Sequence, residues 1–147
     1  MAAGNFTFLD IAKPKTGNGL IDFDSDAFSW VLTTNAQALA ANFTGSSGDG
    51  RYADLTAEVV GAGYTAGGES LTGVTYGGGS GTVTFDADPT TWASATFTAK
   101  YAVLIDNTDA NESIVGFVDL ETTAPAGRTS AGGDFTLQWP TGIFTQT

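Results

Sequence analysis

The sequence predicts an all-β chain: an antiparallel β-sandwich of about 7–9 short strands, with at most one or two short helices and an N-terminal arm. Three observations predict it. Glycine supplies 20 of 147 residues, well above the roughly 7% of an ordinary chain, and is accompanied by many Thr and Ala and a single Met, a composition of short strands and tight turns. Turn-forming clusters recur between short alternating runs. One stretch, residues 95–120, reads as a core hairpin. From Phe97 to Ile105 the odd positions are apolar, while the even positions change from Thr98 and Lys100 to Ala102 and Leu104, as in a strand entering a covered interior. The return run from Ile114 to Val118 is apolar on both parities, as in a central strand. A length of 147 suits one domain, divided into an arm over residues 1–19, a sandwich over 20–140 and a tail over 141–147.

The arm holds a short alternating piece, Asn5 to Leu9, and then the only local cluster of positive charge, Lys13-Pro14-Lys15. Proline and the nearby glycines argue against a packed strand here. Two readings stand side by side: an arm that docks on a neighbour with its lysines toward an acidic partner, or a first edge strand followed by a solvated loop. Leu20 to Asp26 alternates Ile21 and Phe23 against Asp22 and Asp24, and is expected as a strand with outward aspartates. Ala27 to Thr34 is a second strand, with Phe28, Trp30 and Leu32 on one face.

Asn35 to Phe43 is compatible with a helix of at most two turns, Asn35 capping it and Leu39 and Phe43 lying four apart. Residues 52–60 fit either a short helix or an extended link. Gly61 to Gly68 is expected as a turn region wrapped around Tyr64. It is glycine-rich, yet no Lys-Ser or Lys-Thr follows, so it lacks the frame of a phosphate loop. Strands are predicted over 69–76, with a bulge near Gly73, and over 82–85; residues 86–94 form a crossing loop with Trp92 closing the core. After Leu120 comes a linker-like loop and then a last strand from Asp134 to Trp139, ended by Pro140.

Several functions are excluded by what the chain lacks. With no Cys and no His, it has no disulfide, no thiol nucleophile, no common zinc ligand and no Ser-His or Cys-His arrangement. An enzyme would have to run on carboxylates, and none of the four glutamates, Glu58, Glu69, Glu112 and Glu121, sits in a motif; no enzymatic activity and no cofactor are expected. The formal charge of −11 repels phosphate backbones and anionic lipid, so neither nucleic acid nor membrane is an expected partner. MAAGNFTFLD lacks a cationic n-region and an apolar run, so a soluble chain with no export signal is expected.

Two acidic groups deserve a metal test. Asp22-Phe23-Asp24-Ser25-Asp26 matches the D-x-D-x-D opening of a calcium loop, but Ala27 stands where the glycine belongs and Thr33 where a bidentate Glu is needed. Asp22, Asp24 and Asp26 are therefore weak candidates. Asp106, Asp109 and Glu112 in the hairpin loop form the second group, readable as a weak calcium site or as a solvated turn. Most aromatics fall at core positions; Tyr52, Tyr64, Tyr76 and Trp92 are the ones a carbohydrate-binding reading would use.

Gly63 to Gly68 with Leu71 and Val74, Thr82 to Asp88 with Trp92, Ala99 to Val103 with Asp106-Asn107-Thr108, and Val115 to Asp119 occur in an order that resembles small structural proteins of tailed bacteriophages, including head decoration or cement proteins. The resemblance covers roughly residues 60–120 and transfers no active-site residue. It implies a non-enzymatic virion component. The strong acidity fits a position outside the shell, away from packaged DNA, as a decoration protein made in the host cytoplasm and placed on the capsid surface. The implied partners are the major capsid protein and copies of itself, as a trimer or another cluster. The alternatives are a tail, collar or head-fibre component, or a carbohydrate-binding or adhesin module. The expected contact residues are Phe6, Phe8, Leu9, Lys13 and Lys15 in the arm and Ile143 and Phe144 in the tail.

Overall fold

A computed structural model describes residues 4–147, so the first three residues of the expected arm lie outside the described residues. The described residues form ten strands, a little more than the seven to nine expected, in three antiparallel sheets with one short helix, an all-β, sandwich-like fold. The strands are β1 (Thr7–Phe8), β2 (Phe28–Thr33), β3 (Glu69–Ser70), β4 (Thr75–Gly79), β5 (Thr82–Asp86), β6 (Thr90–Ala99), β7 (Tyr101–Asp106), β8 (Ile114–Asp119), β9 (Arg128–Leu137) and β10 (Phe144–Gln146). A five-stranded sheet runs β1-β8-β7-β2-β3, a three-stranded sheet β10-β5-β4, and β6 pairs with β9 as a ribbon. The central strands β2, β7 and β8 are buried over nearly their whole length, which is why β7 and β8 are apolar on both parities, while β2 also buries the small polar Ser29 and Thr33.

The single strand expected from Phe97 to Ile105 is two. β6 ends at Ala99 and β7 begins at Tyr101, and the chain changes sheets at Lys100. At that corner the Lys100 N–H donates to Thr33 O at 2.8 Å and its carbonyl accepts from the Leu120 N–H at 2.8 Å. Gly127, at φ +99, passes so close to the Ala99 carbonyl that a β-carbon would collide with it. The change on even positions from Thr98 and Lys100 to Ala102 and Leu104 therefore marks a corner: a ribbon with one solvated face gives way to a central strand covered on both.

β6 also begins earlier than expected, at Thr90, inside the segment predicted as a crossing loop. Thr90 and Trp92 point inward, then Ala95, Phe97 and Ala99 do. The phase reverses across Ser94, which has φ 50 and donates its N–H to Asp134 at 3.1 Å, where the register with β9 shifts. This bulge hides the alternation from a period-2 reading. β9 likewise starts at Arg128, within the predicted linker. On the ribbon's exposed face, threonine hydroxyls pair across the strands, Thr91 with Thr136 at 2.9 Å and Thr98 with Thr129 at 2.7 Å. β4 and β5 meet in a two-residue turn, Ser80-Gly81, with φ 56 and 81, the left-handed pair that matches strand twist. The run predicted over 69–76 is broken at Gly73 (φ +59), where β3 gives way to β4 in another sheet.

Two further expectations are corrected, and one that stayed open is decided. Leu20 to Asp26 is a turn, although its alternation does send Ile21 and Phe23 inward, 2% and 4% exposed. Residues 35–43 contain no helix: the Thr34 hydroxyl accepts from the Ala36 N–H, and buried Gln37 turns its carbonyl oxygen to the Thr56 and Ala57 N–H groups, a side-chain competition that ends helices before they start. Over residues 52–60, a 3₁₀ turn at Tyr52–Asp54 passes into extended chain that bridges to β2 through Glu58 and Thr33.

The segment predicted as an arm is packed onto the domain over its described residues. β1 adds to β8, and α1 (Ala12–Gly17) carries the Lys13-Pro14-Lys15 cluster. Pro14 sits in the first helical turn, where its missing N–H has no helical partner to lose. The tail is also integrated, β10 pairing with β5.

Candidate functional site

The two ends of the chain, named separately by the sequence, come together. Phe6 and Phe8 from the N-terminal segment meet Phe144 from the tail, with ring centroids 5.0 and 4.6 Å away, and Phe144 stacks on Phe85 at 5.0 Å. Phe23 and Phe28 continue the cluster inward, Phe23 lying 5.1 Å from Phe144 and 5.8 Å from Phe28. These rings join the five-stranded and three-stranded sheets and fix both termini by aromatic packing.

Above them lies an open groove of about 500 Å³. Gly4, Asn5, Phe6 and Phe8 form one wall; residues 138–145 form the other. One wall runs into β1 and the other into β10, each the outer strand of its sheet. No lining residue is charged, in a chain whose net charge is −11. Of the seven predicted contact residues, Phe6, Phe8, Ile143 and Phe144 line this groove. Leu9 is fully buried and faces the core. Lys13 is exposed and pairs with Asp10 at 2.8 Å. Asn5, Thr141 and Gly142 fall within the predicted arm and tail; sequence reading missed Trp139 and Pro140, which complete the turn that shapes the second wall, and the adjacent Pro and Gly, with Gly142 at φ 90, are the available signal.

Lys15, by contrast, is turned into the domain. It is 8% exposed, and its ammonium donates to Asp49 O at 2.9 Å and Ser113 Oγ at 2.8 Å while pairing with the Asp49 carboxylate at 3.1 Å. Ser113 in turn donates to Asp109 Oδ2. Burial pushes the Asp109 carboxyl up, but the Ser113 hydroxyl, the Asn111 N–H and Lys15 outweigh it and hold it below its ordinary value.

The two acidic groups do not form the metal loops tested from the sequence. Asp22 accepts from the Asp24 N–H at 3.0 Å and the Ser25 hydroxyl at 2.9 Å, and Asp26 accepts from the Asp22 N–H at 2.7 Å; the run closes on itself as a turn. In the second group Glu112 is exposed, whereas Asp106 and Asp109 are buried with their side chains turned into the loop. The hairpin tip is held down by the Tyr52 N–H donating to Glu112 O and the Ile114 N–H to Gly50 O. Among the described residues no group of three or more His, Cys, Asp or Glu is arranged to hold a metal ion.

The rings available to a carbohydrate reading are committed elsewhere. Trp92 is 1% exposed. Tyr52 and Tyr64 both donate to Glu58 at 2.7 Å, and Tyr64 also accepts from the Leu32 N–H at 3.0 Å. Burial first, then the Glu58 carboxylate, pushes the Tyr52 hydroxyl up to about 12 and the Tyr64 hydroxyl higher still. Tyr76 donates to Gln146 at 2.7 Å. The glycine-rich loop closes over Tyr64, with Gly67 donating its N–H to Glu58.

No family model, curated protein or solved structure matches the chain.

Proposed function

We propose that this protein is a non-enzymatic virion structural protein of a tailed bacteriophage, a decoration protein on the outer face of the head that stabilises the shell through contacts with the major capsid protein and with its own copies. The groove between the chain ends carries the reading. It is uncharged within a strongly acidic protein, it is floored by phenylalanines, and it lies between two outer strands. Such a site suits an extended capsid segment that adds as a strand and is held by backbone bonds and apolar contact. The phage assignment itself rests on the family resemblance over residues 60–120. The carbohydrate alternative loses support because the rings it needs are packed or hydrogen-bonded within the domain.

The test is cryo-EM of the particle that carries the chain, together with its copy number. Hundreds of copies at symmetric positions on the shell, with density in the groove, are expected. Six to a few tens of copies would move the protein to the tail, collar or head fibre, and absence from purified particles would remove the virion assignment. Truncating either end is uninformative, since Leu9, Ile143 and Phe144 are core residues. Asn5→Arg and Thr141→Arg, at exposed positions of the groove, place charge in it while sparing the core; they should lower head occupancy with Tm unchanged.

A further inference from the structure

The two acidic runs singled out in the sequence each fail as a metal loop, yet the fold brings one member of each together. Asp26 closes the turn that leads into β2, and Asp106 ends β7 opposite Phe28. Around them the Asn107 N–H donates to Ala27 O at 2.8 Å and the Ala27 N–H donates to Thr108 Oγ1 at 2.8 Å, locking the turn against the hairpin tip. Asp106 is completely buried. Its Oδ1 accepts from the Thr108 N–H at 2.9 Å and the Asp109 N–H at 3.3 Å, while its Oδ2, also buried, has no hydrogen-bond partner. Asp26 is oriented in a similar way, its Oδ2 taking the Asp22 N–H at 2.7 Å. Each carboxyl thus has one oxygen fixed by backbone N–H groups, and the two interact through charge and through a side-chain hydrogen bond that exists only while one of them holds a proton.

A buried polar atom without a partner calls for an explanation, a water or an ion among them. Lys and Arg side chains do not supply it: Lys13, Lys15, Arg51 and Lys100 pair with Asp10, Asp49, Asp49 and Asp119, and Arg128 opens β9, opposite Ala99 in the separate β6–β9 ribbon. We propose that Asp26 and Asp106 bind one hard divalent cation, of the calcium or magnesium class, that clips the turn before β2 to the β7–β8 hairpin. The ligand set is all oxygen, as such ions require, and the N–H donors on the second oxygens provide the outer-shell orientation found around metal-bound carboxylates. Asp26 is only half-buried, which leaves an approach from solvent.

The experiment is thermal unfolding of the full chain, followed by tryptophan fluorescence, after chelator treatment at pH 7.4. CaCl₂ or MgCl₂ is titrated to 10 mM against NaCl at matched ionic strength, which removes general screening of the acidic surface. One of the two ions should raise Tm by about 3–6 °C at 10 mM if it binds near millimolar strength, and which one does so assigns the ion. Asp26→Asn and Asp106→Asn should each abolish the rise. Asp26→Asn, at a half-buried position, keeps the test available if the buried change perturbs folding. A wild-type Tm unmoved by either ion overturns the proposal, as does a full rise retained in both variants. A Tm that climbs only on acidification through pH 6, indifferent to both ions, also overturns it and assigns the pair a shared proton.

Discussion

Asp106 and Asp109 lie three residues apart on one hairpin tip, both buried, and their carboxyls are displaced in opposite directions. Burial pushes both up. Asp109 meets the Ser113 hydroxyl, with Lys15 behind it, and ends below its ordinary value. Asp106 meets two backbone N–H groups on one oxygen, but burial, the Asp26 charge and a hydrogen bond shared with Asp26 leave it above its ordinary value. The difference teaches that a buried acid's role in this fold is set by its partner rather than by its depth. The Lys15-Ser113-Asp109 relay holds the hairpin down, while the Asp26–Asp106 pair leaves a charge for something else to cover.

Removing the relay's cation should have the largest effect. Lys15→Met leaves Asp109 without its positive partner and Asp49 with Arg51 alone, and because Lys15 is buried while Asp49 is partly exposed, the expected loss is about 2–3 kcal/mol in urea unfolding. A loss under half a kcal/mol would mean that the relay does not anchor α1 to the hairpin. The next pair of changes should differ in sign. In chelator-treated buffer at pH 7, Asp109→Asn should destabilise by roughly 1–2 kcal/mol, whereas Asp106→Asn should stabilise by a similar amount, since the amide oxygen can still accept the two N–H bonds and the repulsion with Asp26 disappears. Equal signs would refute the contrast between the two sites.

The same contrast fixes the pH dependence. Asp106 titrates near 6 in the folded chain against 3.8 when unfolded, so between those values the folded state holds a proton the unfolded state has released. Its contribution is present below 3.8 and is lost as pH rises through about 6. Asp109 is held below 3.8, and so is Asp49, by Lys15 first and then Arg51. Asp54 is brought to about 2, where burial is outweighed by the Ser47 hydroxyl and the Arg51 and Ser47 N–H groups. Their contribution is present above 3.8 and is lost as pH falls below it. Metal-free protein should therefore be most stable between about pH 4 and 6, as read by Tm across a buffer series. Asp106→Asn should flatten the decline toward neutrality without altering the acid side.

The fold was legible where one physical rule acts alone. The apolar runs of β7 and β8 mark covered strands because burial on both faces favours apolar side chains at every position. The reading failed where two rules overlap. At Lys100 a change in alternation was read as one strand sinking into the core, when it records the passage from ribbon to sheet. At Ser94 the bulge reversed the phase and concealed the first half of β6. In the candidate site, Phe6, Phe8, Ile143 and Phe144 were named correctly as apolar ends, but their convergence on one groove depends on β1 joining β8 and β10 joining β5. Those pairings span more than a hundred residues and about sixty residues of chain, respectively, and no local pattern encodes them. Asp26 and Asp106 belong to separate acidic runs for the same reason.

The smallest expected effect concerns the other lysine of the cluster. In the sequence Lys13 and Lys15 form one positive patch; in α1 they lie two positions apart, which on a helix separates their faces. Lys15 turns inward to the relay, while Lys13 keeps a 2.8 Å ion pair with Asp10, both side chains more than half exposed. Exposed pairs of this kind contribute little, so Lys13→Ala should change stability by no more than about 0.5 kcal/mol, and less at high salt. Its value lies in separating two roles. If Lys13 meets an acidic capsid surface, the same substitution should weaken head binding in a salt-dependent way while leaving Tm in place, an outcome Lys15→Met cannot isolate because it disturbs the fold that presents the contact.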